Sequence, residues 1–314
     1  MARPRTHLVS NVECPGNDQT RANRSPQLPD RCKFPPMTAR GRFLARLVTT
    51  LVALAGILTV GALPAAAKTV GIGQYVALGD SYAAGQGGSQ QYDNTCLRSP
   101  NGYPALLDAE SQIHLRANAA CTGATTADVA EKQLSALKQS TKLVTLTVGA
   151  ADLGLSEVLA ACTAVPPTHC LEVIGGASLK LAALEDDLTA LYIAVAEAAP
   201  NALILVTGYP YLFEESVPGL DPAIIKAVND ATTALNLTIQ KAVAAAQAAG
   251  VNVEYVDVTG AFDGHGIGSN GVLFINPPGT GINAFHPTPA GYEAYAAAIS
   301  AAIPSSWSNK QHVA

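Results

Sequence analysis

Two short stretches near opposite ends of the chain carry side chains that could make and break covalent bonds. In "YVALGDSYAAGQGG" (Tyr75 to Gly88) an apolar run stops at Gly79 and offers Ser81 between an aspartate and an aromatic residue. In "NAFHPTPAGY" (Asn283 to Tyr292) His286 is fixed by Pro287 at the start of a helical pattern. A serine hydroxyl ionises far above neutral pH, so it attacks only when a base lies within hydrogen-bonding reach. A serine at a strand-to-helix turn stands at the sheet edge, and the helix N-terminus behind it directs backbone N–H groups towards any oxyanion formed there. Ser81 as nucleophile and His286 as base is the chemistry that follows. On its own, Gly79–Asp80–Ser81 reads first as an ordinary turn with Asp80 or Ser81 as helix cap; His286 reverses that preference. The other histidines offer less: His114 precedes a strand, His169 sits inside a small cysteine loop, His265 lies in a glycine-rich loop and His312 in the tail. The glycines Gly85, Gly87 and Gly88 are weak as a phosphate cradle, because no G-x-x-x-x-G-K-[ST] follows the strand.

These residues need a scaffold, and the sequence supplies one. Compact apolar runs with β-formers occur at Gln74–Leu78, Lys142–Asp152, Ala202–Pro210 and Val251–Val258, with a weaker one at Ile113–Cys121. Such continuous runs are the mark of parallel strands covered on both faces. Between them apolar residues step by three and four, from Leu181 to Val195 and from Ile225 to Val243. The second pattern begins after Asp221–Pro222, an N-cap followed by proline at the first helical position, and ends at Gly250. Further helices are expected over about 127–137 and 289–303. Alternation of strand and helix predicts a parallel sheet with helices on both faces. In open sheets of this kind ligands gather at the carboxyl ends of the strands. That singles out "GDSY" at Gly79, "CTGATTAD" at Cys121, "VGAAD" at Val148 and "NAFHPTPAGY" at Asn283.

Composition bounds the rest. From Met37 the chain has a basic start (Arg40, Arg42, Arg46), an apolar run from Leu47 to about Leu63, and small residues at Ala65 and Ala67. This reads as a secretory signal peptide over 37–67 in preference to a retained anchor, since no basic stop-transfer cluster follows. Residues 1–36 are rich in Pro, Arg, Asn and Asp and read as a disordered arm, or as residues upstream of the true start at Met37. Cleavage after Ala67 leaves 247 residues, 68–314, a size one α/β domain fills. That part holds ten basic against 21 acidic residues, a formal charge of −11 that the whole-chain value of −5 conceals. An acidic surface without basic clusters argues against nucleic acid and anionic lipid as partners and fits a soluble exported protein. Four cysteines remain: Cys96, Cys121, Cys162 and Cys170. Three disulfide connectivities are open to them, the local pairs 96 with 121 and 162 with 170 being preferred. A zinc site is the runner-up, although the spacings are not C-x-x-C and no histidines bracket them. No metal or organic cofactor is implied.

Taken together, the four strand-end blocks resemble those of the GDSL esterases and lipases, the SGNH hydrolases, and in particular their secreted actinobacterial branch, over about Gln74 to Ile303. The resemblance implies a three-layer α/β/α sandwich with a five-stranded, parallel, flavodoxin-like sheet. It implies a secreted, monomeric esterase or lipase acting on small-molecule, lipid or acyl-glycan esters, with Ser81 as nucleophile and His286 as base. Asn283 stands three residues before the histidine, where the family has aspartate; its amide could still accept from the imidazole N–H, and some relatives use a backbone carbonyl instead. The oxyanion hole falls on the Ser81 amide, Gly123 and the position of Ala151. There the family's asparagine, a side-chain donor, is replaced by alanine. Gly268 stands where secreted relatives often have a cysteine of a third disulfide, which predicts a looser loop near the mouth of the site. These two replacements in the machinery make weak turnover, or a binder of acylated glycans or lipids that has lost turnover, the expected alternatives.

Overall fold

In the computed structural model, which describes residues 72–109, 113–164 and 166–304, five strands form one sheet: β1 (Ile72–Gly79), β2 (Ile113–Asn118), β3 (Leu143–Thr147), β4 (Leu203–Thr207) and β5 (Val253–Val256). The expected extension 1–36, the expected signal 37–67 and His312 lie outside the described residues. All neighbouring strands are parallel and the order is β2-β1-β3-β4-β5. Every residue of β3 and β4 is buried, as strands covered on both faces must be. This is the flavodoxin-like order within a three-layer α/β/α architecture, and its crossing point lies between β1 and β3, where a ligand crevice opens beyond the strand ends.

The helices are α1 (Ser81–Ala84), α2 (Tyr103–Ala109), α3 (Thr126–Asp128), α4 (Leu155–Thr163), α5 (Cys170–Ser178), α6 (Leu181–Ala198), α7 (Pro222–Ala248) and α8 (Pro289–Ala302). The two long patterns become α6 and α7, and Asp221 caps α7 by accepting from the Ala223 N–H. The element expected over 127–137 is irregular: α3 runs on through a π turn at Val129–Gln133 and a 3-10 turn at Leu134–Ala136. Helices α2, α4 and α5 escape the periodicity argument. The last two form a hairpin joined near its turn by the Cys162–Cys170 disulfide, while Cys96–Cys121 closes the other local loop.

Under the crevice a chain of buried hydroxyls crosses the sheet. Tyr295 Oη donates to the Gly208 carbonyl at 2.6 Å. Since each hydroxyl has one proton, Thr207 then donates to Tyr295, Thr147 to Thr207 and Tyr103 to Thr147, over 2.9, 2.6 and 2.9 Å. Every member is satisfied, so these polar groups brace the strand ends without leaving a costly orphan. The loop containing Gly268 is not loose. Ile267 pairs with Phe213 in a parallel bridge, its N–H donating to Leu212 O at 2.8 Å and its carbonyl accepting from Glu214 N–H at 2.9 Å. A Cβ at Gly268 would stand 2.6 Å from Ser216 O, so a side chain there, cysteine included, has no room.

Candidate active site

Gly79 ends β1 with φ +129°, and a Cβ there would lie 2.1 Å from the Thr147 carbonyl oxygen. Only glycine lets the backbone turn this close to β3. Asp80 N–H donates to that same oxygen at 2.9 Å. Asp80 then caps α1, its Oδ1 accepting from Tyr82 N–H at 2.9 Å, which puts Ser81 at the first helical position. The turn is held from the side by Gln133, whose amide bonds both the N–H and the carbonyl of Gly79 at 2.8 and 2.9 Å. Gln133 lies in the π turn, an irregularity that often marks functional sites.

His286 arrives from the other end of the domain. The segment before α8 is clamped to Asn276, whose N–H donates to His286 O and whose carbonyl accepts from Phe285 N–H, both at 2.8 Å. Phe285 has φ +65°, a strained value for a residue with a side chain, and its carbonyl accepts from Tyr82 Oη at 2.7 Å. Gly87, also at positive φ, lets the loop pass close: a Cβ there would be 2.5 Å from Pro287 O and 2.9 Å from His286 Cβ. That glycine serves the approach of the histidine loop and forms no anion cradle.

The result is a hydrogen bond of 2.8 Å between His286 Nε2 and Ser81 Oγ, residues 205 positions apart in sequence. On the other side of the ring Nδ1 is 2.9 Å from the Ala284 carbonyl oxygen. A carbonyl only accepts, so the proton sits on Nδ1 and Nε2 is left to accept from the serine. The side chain of Asn283 does not hold the ring; its Oδ1 faces Gln91 Nε2 at 3.5 Å. Asn283 acts on His286 through its backbone carbonyl, beside that of Ala284, and not through the side-chain amide that was expected to orient the ring. Burial lowers the His286 pKa towards about 4, against the opposing pull of the backbone carbonyls.

A cleft of about 160 Å³ opens over the pair, lined by Ser81, Gly123, Ala151, His286 and neighbouring residues. Among the described residues the amides of Ser81, Gly123 and Ala151 donate to no protein acceptor, and Ala151 contributes only a methyl group as side chain. The loops bearing these amides are joined. Asp152 Oδ1 accepts from Thr126 N–H at 3.1 Å and from Thr126 Oγ1 at 2.7 Å, tying the block after β3 to the turn after Gly123. Thr122 Oγ1 donates to Gln86 Oε1 at 2.6 Å, and Gln86 donates to the Ile282 carbonyl.

A further brace lies outside the expected site residues. Tyr209, at the end of β4, donates to Asp80 Oδ2 at 2.5 Å and accepts from the Ala150 N–H at 3.2 Å. Its own backbone is pinned by the Asn236 amide at 2.8 Å on both sides. The turn holding Ser81 and the block holding Ala151 therefore share one phenol. Asp80 is buried; desolvation raises its pKa to about 7, although the bonds from Tyr209 and Tyr82 work the other way. The sequence contained one signal: "GYP" follows a strand, as do the blocks that were singled out.

Among the described residues, the other three histidines stay apart from the cleft. His114 faces Asp108 at 3.4 Å and His169 faces Glu172 at 3.2 Å, all well exposed, and His265 stacks on Phe274 with ring centroids 3.9 Å apart. Among the described residues no group of three or more His, Cys, Asp or Glu could hold a metal ion, and no helix is long and apolar enough to cross a membrane.

The chain is similar to known lipases in sequence and in fold. The chain is 33% identical over 256 residues to Lipase 1 of Streptomyces coelicolor, covering 79% of this chain and 93% of that one. The solved extracellular lipase of Streptomyces rimosus superposes with a TM-score of 0.67 at 32% identity, over 73% of this chain and 99% of that one. Phospholipase A1 of Streptomyces albidoflavus superposes at 0.66 with 34% identity and the same coverage. The sequence model of the GDSL-like lipase/acylhydrolase family matches residues 77–294, from the strand before Ser81 to the helix after His286. By that match and these relatives the chain belongs to the GDSL-like lipase/acylhydrolase family, and with it to the carboxylic ester hydrolases.

Proposed function

We propose that the protein is a secreted serine esterase that cleaves small-molecule or lipid esters through Ser81 and His286, with turnover reduced by the alanine at position 151. The observation that carries this reading is the 2.8 Å contact between His286 Nε2 and Ser81 Oγ. In the first half-reaction Ser81 Oγ attacks the ester carbonyl carbon while its proton passes to Nε2. The oxyanion is met by the Ser81 and Gly123 amides, with the Ala151 position beside them. Collapse breaks the bond to the alkoxy oxygen, which leaves as alcohol with the proton from Nε2. A water, deprotonated by the same nitrogen, then hydrolyses the acyl-serine and restores both residues. The imidazolium formed on the way is held by the Ala284 carbonyl and by no carboxylate, so its charge is only partly offset.

Export is supported by the leader-like segment 37–67 and by the extracellular lipase among the relatives. Sequencing of the exported protein is expected to begin at Lys68, and size-exclusion chromatography to give a monomer. For the chemistry, a serine-directed phosphonate should label Ser81 of the mature protein. Turnover of p-nitrophenyl acetate should vanish in Ser81→Ala; unchanged turnover in that variant, with no label on Ser81, sinks the reading.

A second reading draws on Ala151 specifically: a protein that retains the cleft to bind acylated glycans or lipids without turning them over. It requires ligand retention by the wild type at substrate concentrations where Ser81→Ala and wild type show equal, background hydrolysis.

A further inference from the structure

Past Ala151 the catalytic cleft continues into an open groove of about 700 Å³. One wall is the start of α3 and the turn after it, with Thr125 and Ala130; the other is a face of α6 with Ala183, Leu184 and Asp187, and Lys180 just ahead of that helix. The residue at 151 borders both spaces, and with only a methyl group for a side chain it leaves them joined. The same alanine that offers the oxyanion no side-chain donor thus keeps a way open for one half of the ester.

The polar groups of the groove decide which half. The hydroxyls of Thr125 and Thr126 are committed to Asp128 and Asp152, at 2.8 and 2.7 Å. Lys180 Nζ and the Asp187 carboxylate make no hydrogen bond or ion pair among the described residues, whereas Lys132 and Lys226 each hold an aspartate at 2.6 Å. Lys180 and Asp187 stand two turns apart along one face, about 10 Å by helix rise. Hydrocarbon laid over them would strip water from a charge of each sign and return no hydrogen bond. A polyol has hydroxyls that accept from the ammonium and donate to the carboxylate, while its C–H face meets Leu184 and the alanines. At roughly 10–15 Å³ per water-sized group, the groove has ample room for a sugar ring. We propose that this groove binds the alcohol half of the ester, and that this alcohol is polyhydroxylated, a sugar residue being the simplest case. The proposal rests on the esterase reading above and names its substrate class.

The test compares acetate release from an acetylated methyl glucoside, ethyl acetate and hexyl acetate by the mature protein and two variants. Ala183→Leu fills the groove, and Lys180→Met combined with Asp187→Leu removes both partners of the hydroxyls. The wild type should favour the acetylglucoside over ethyl acetate in kcat/KM, and that ratio should fall at least tenfold in each variant, the scale of a lost hydrogen bond to a charged group. None of the three residues lines the catalytic cleft, so turnover of p-nitrophenyl acetate should stay within about twofold of wild type. Circular dichroism identifies a variant that fails to fold, and the other then decides. Folded variants that keep the wild-type ratio overturn the proposal. So does loss of hexyl acetate turnover in Ala183→Leu with the acetylglucoside unaffected, which would make the groove a hydrocarbon site. Saturation-transfer NMR of the acetylglucoside on Ser81→Ala, with and without the groove substitutions, needs no turnover. A wild type inactive on every ester, with that binding abolished by the groove substitutions, would sink the esterase reading and leave the groove assignment standing.

Discussion

Tyr82 Oη lies 2.7 Å from the carbonyl oxygen of Phe285, so the residue after Ser81 holds the residue before His286 across 203 positions of sequence. Phe285 occupies a left-handed conformation, and such strain persists only where the surroundings fix it. The contact is one of several that join these two chain segments, and it helps set the position of the imidazole relative to Ser81. In Tyr82→Phe the ring still packs edge-on against Tyr209, but the Phe285 carbonyl loses its donor. We expect kcat on p-nitrophenyl acetate to fall about tenfold with KM little changed, matching the roughly 1–3 kcal/mol of an abandoned buried acceptor. Equal kcat in the two proteins would mean that Asn276 alone positions the histidine.

The sheet and the pairing of Ser81 with His286 were legible because each is written locally. The strands are uninterrupted apolar runs, α7 begins with Asp221–Pro222, and Ser81 and His286 each follow a recognisable turn. Helices α4 and α5 were not. Gly154 starts α4 without a side-chain cap, and Gly175 and Gly176 sit inside α5, where glycine is a poor helix former. Their stability comes from packing against one another and on α7, which no window of sequence contains. The bracing residues were invisible for a related reason. Gln133 meets Gly79 at a separation of 54 and Tyr209 meets Asp80 at 129, and no periodicity links such pairs. Asn283 misled because spacing locates a residue without saying which way its side chain points.

Two buried ionisable groups predict opposite pH effects on stability. His286 is depressed from 6.5 towards about 4, so its neutral form stabilises the fold above pH 6.5 and that contribution is lost as pH falls towards 4. Asp80 is raised from 3.8 to about 7, so its contribution is present below pH 3.8 and is lost as pH rises through 7. Relative to wild type, the melting temperature of His286→Ala should therefore rise as pH falls from 6.5 to 4. That of Asp80→Asn should rise as pH increases from 4 to 7. Differential scanning calorimetry across this range checks both signs. The same depression predicts an acid limb of kcat/KM below pH 6.5, because Nε2 must be unprotonated to accept from Ser81; a limb above 6.5 would contradict the desolvated ring.

Because the Ala284 carbonyl orients His286, the Asn283 side chain should matter little. Asn283→Ala is expected to leave kcat within about threefold of wild type, since only a 3.5 Å contact to Gln91 is removed. A loss of a hundredfold, with the fold intact by circular dichroism, would show that the amide reaches the imidazole during the reaction.

Under the proposed function, position 151 offers no side-chain donor to the oxyanion. The Ala151 methyl lines the cleft with Ser81, Gly123 and His286, and it also borders an open groove of about 700 Å³ leading to Leu184 and Lys180. A larger side chain there extends into free space, so Ala151→Asn should fold without strain and present an amide donor beside the two backbone N–H groups. Removing one such donor elsewhere costs on the order of 10²–10³-fold in rate. Adding one to a site whose nucleophile and base are already in contact should raise kcat at least tenfold. KM should change less than threefold, because the donor acts on charge that exists only in the transition state. The measurement is steady-state hydrolysis of p-nitrophenyl acetate by the mature variant, with Ala151→Leu as a control for bulk alone. A rise in Ala151→Asn and none in Ala151→Leu locates the weakness of this enzyme in one missing amide. A flat response in both would mean that the donor count does not limit the rate, and would favour the binding reading.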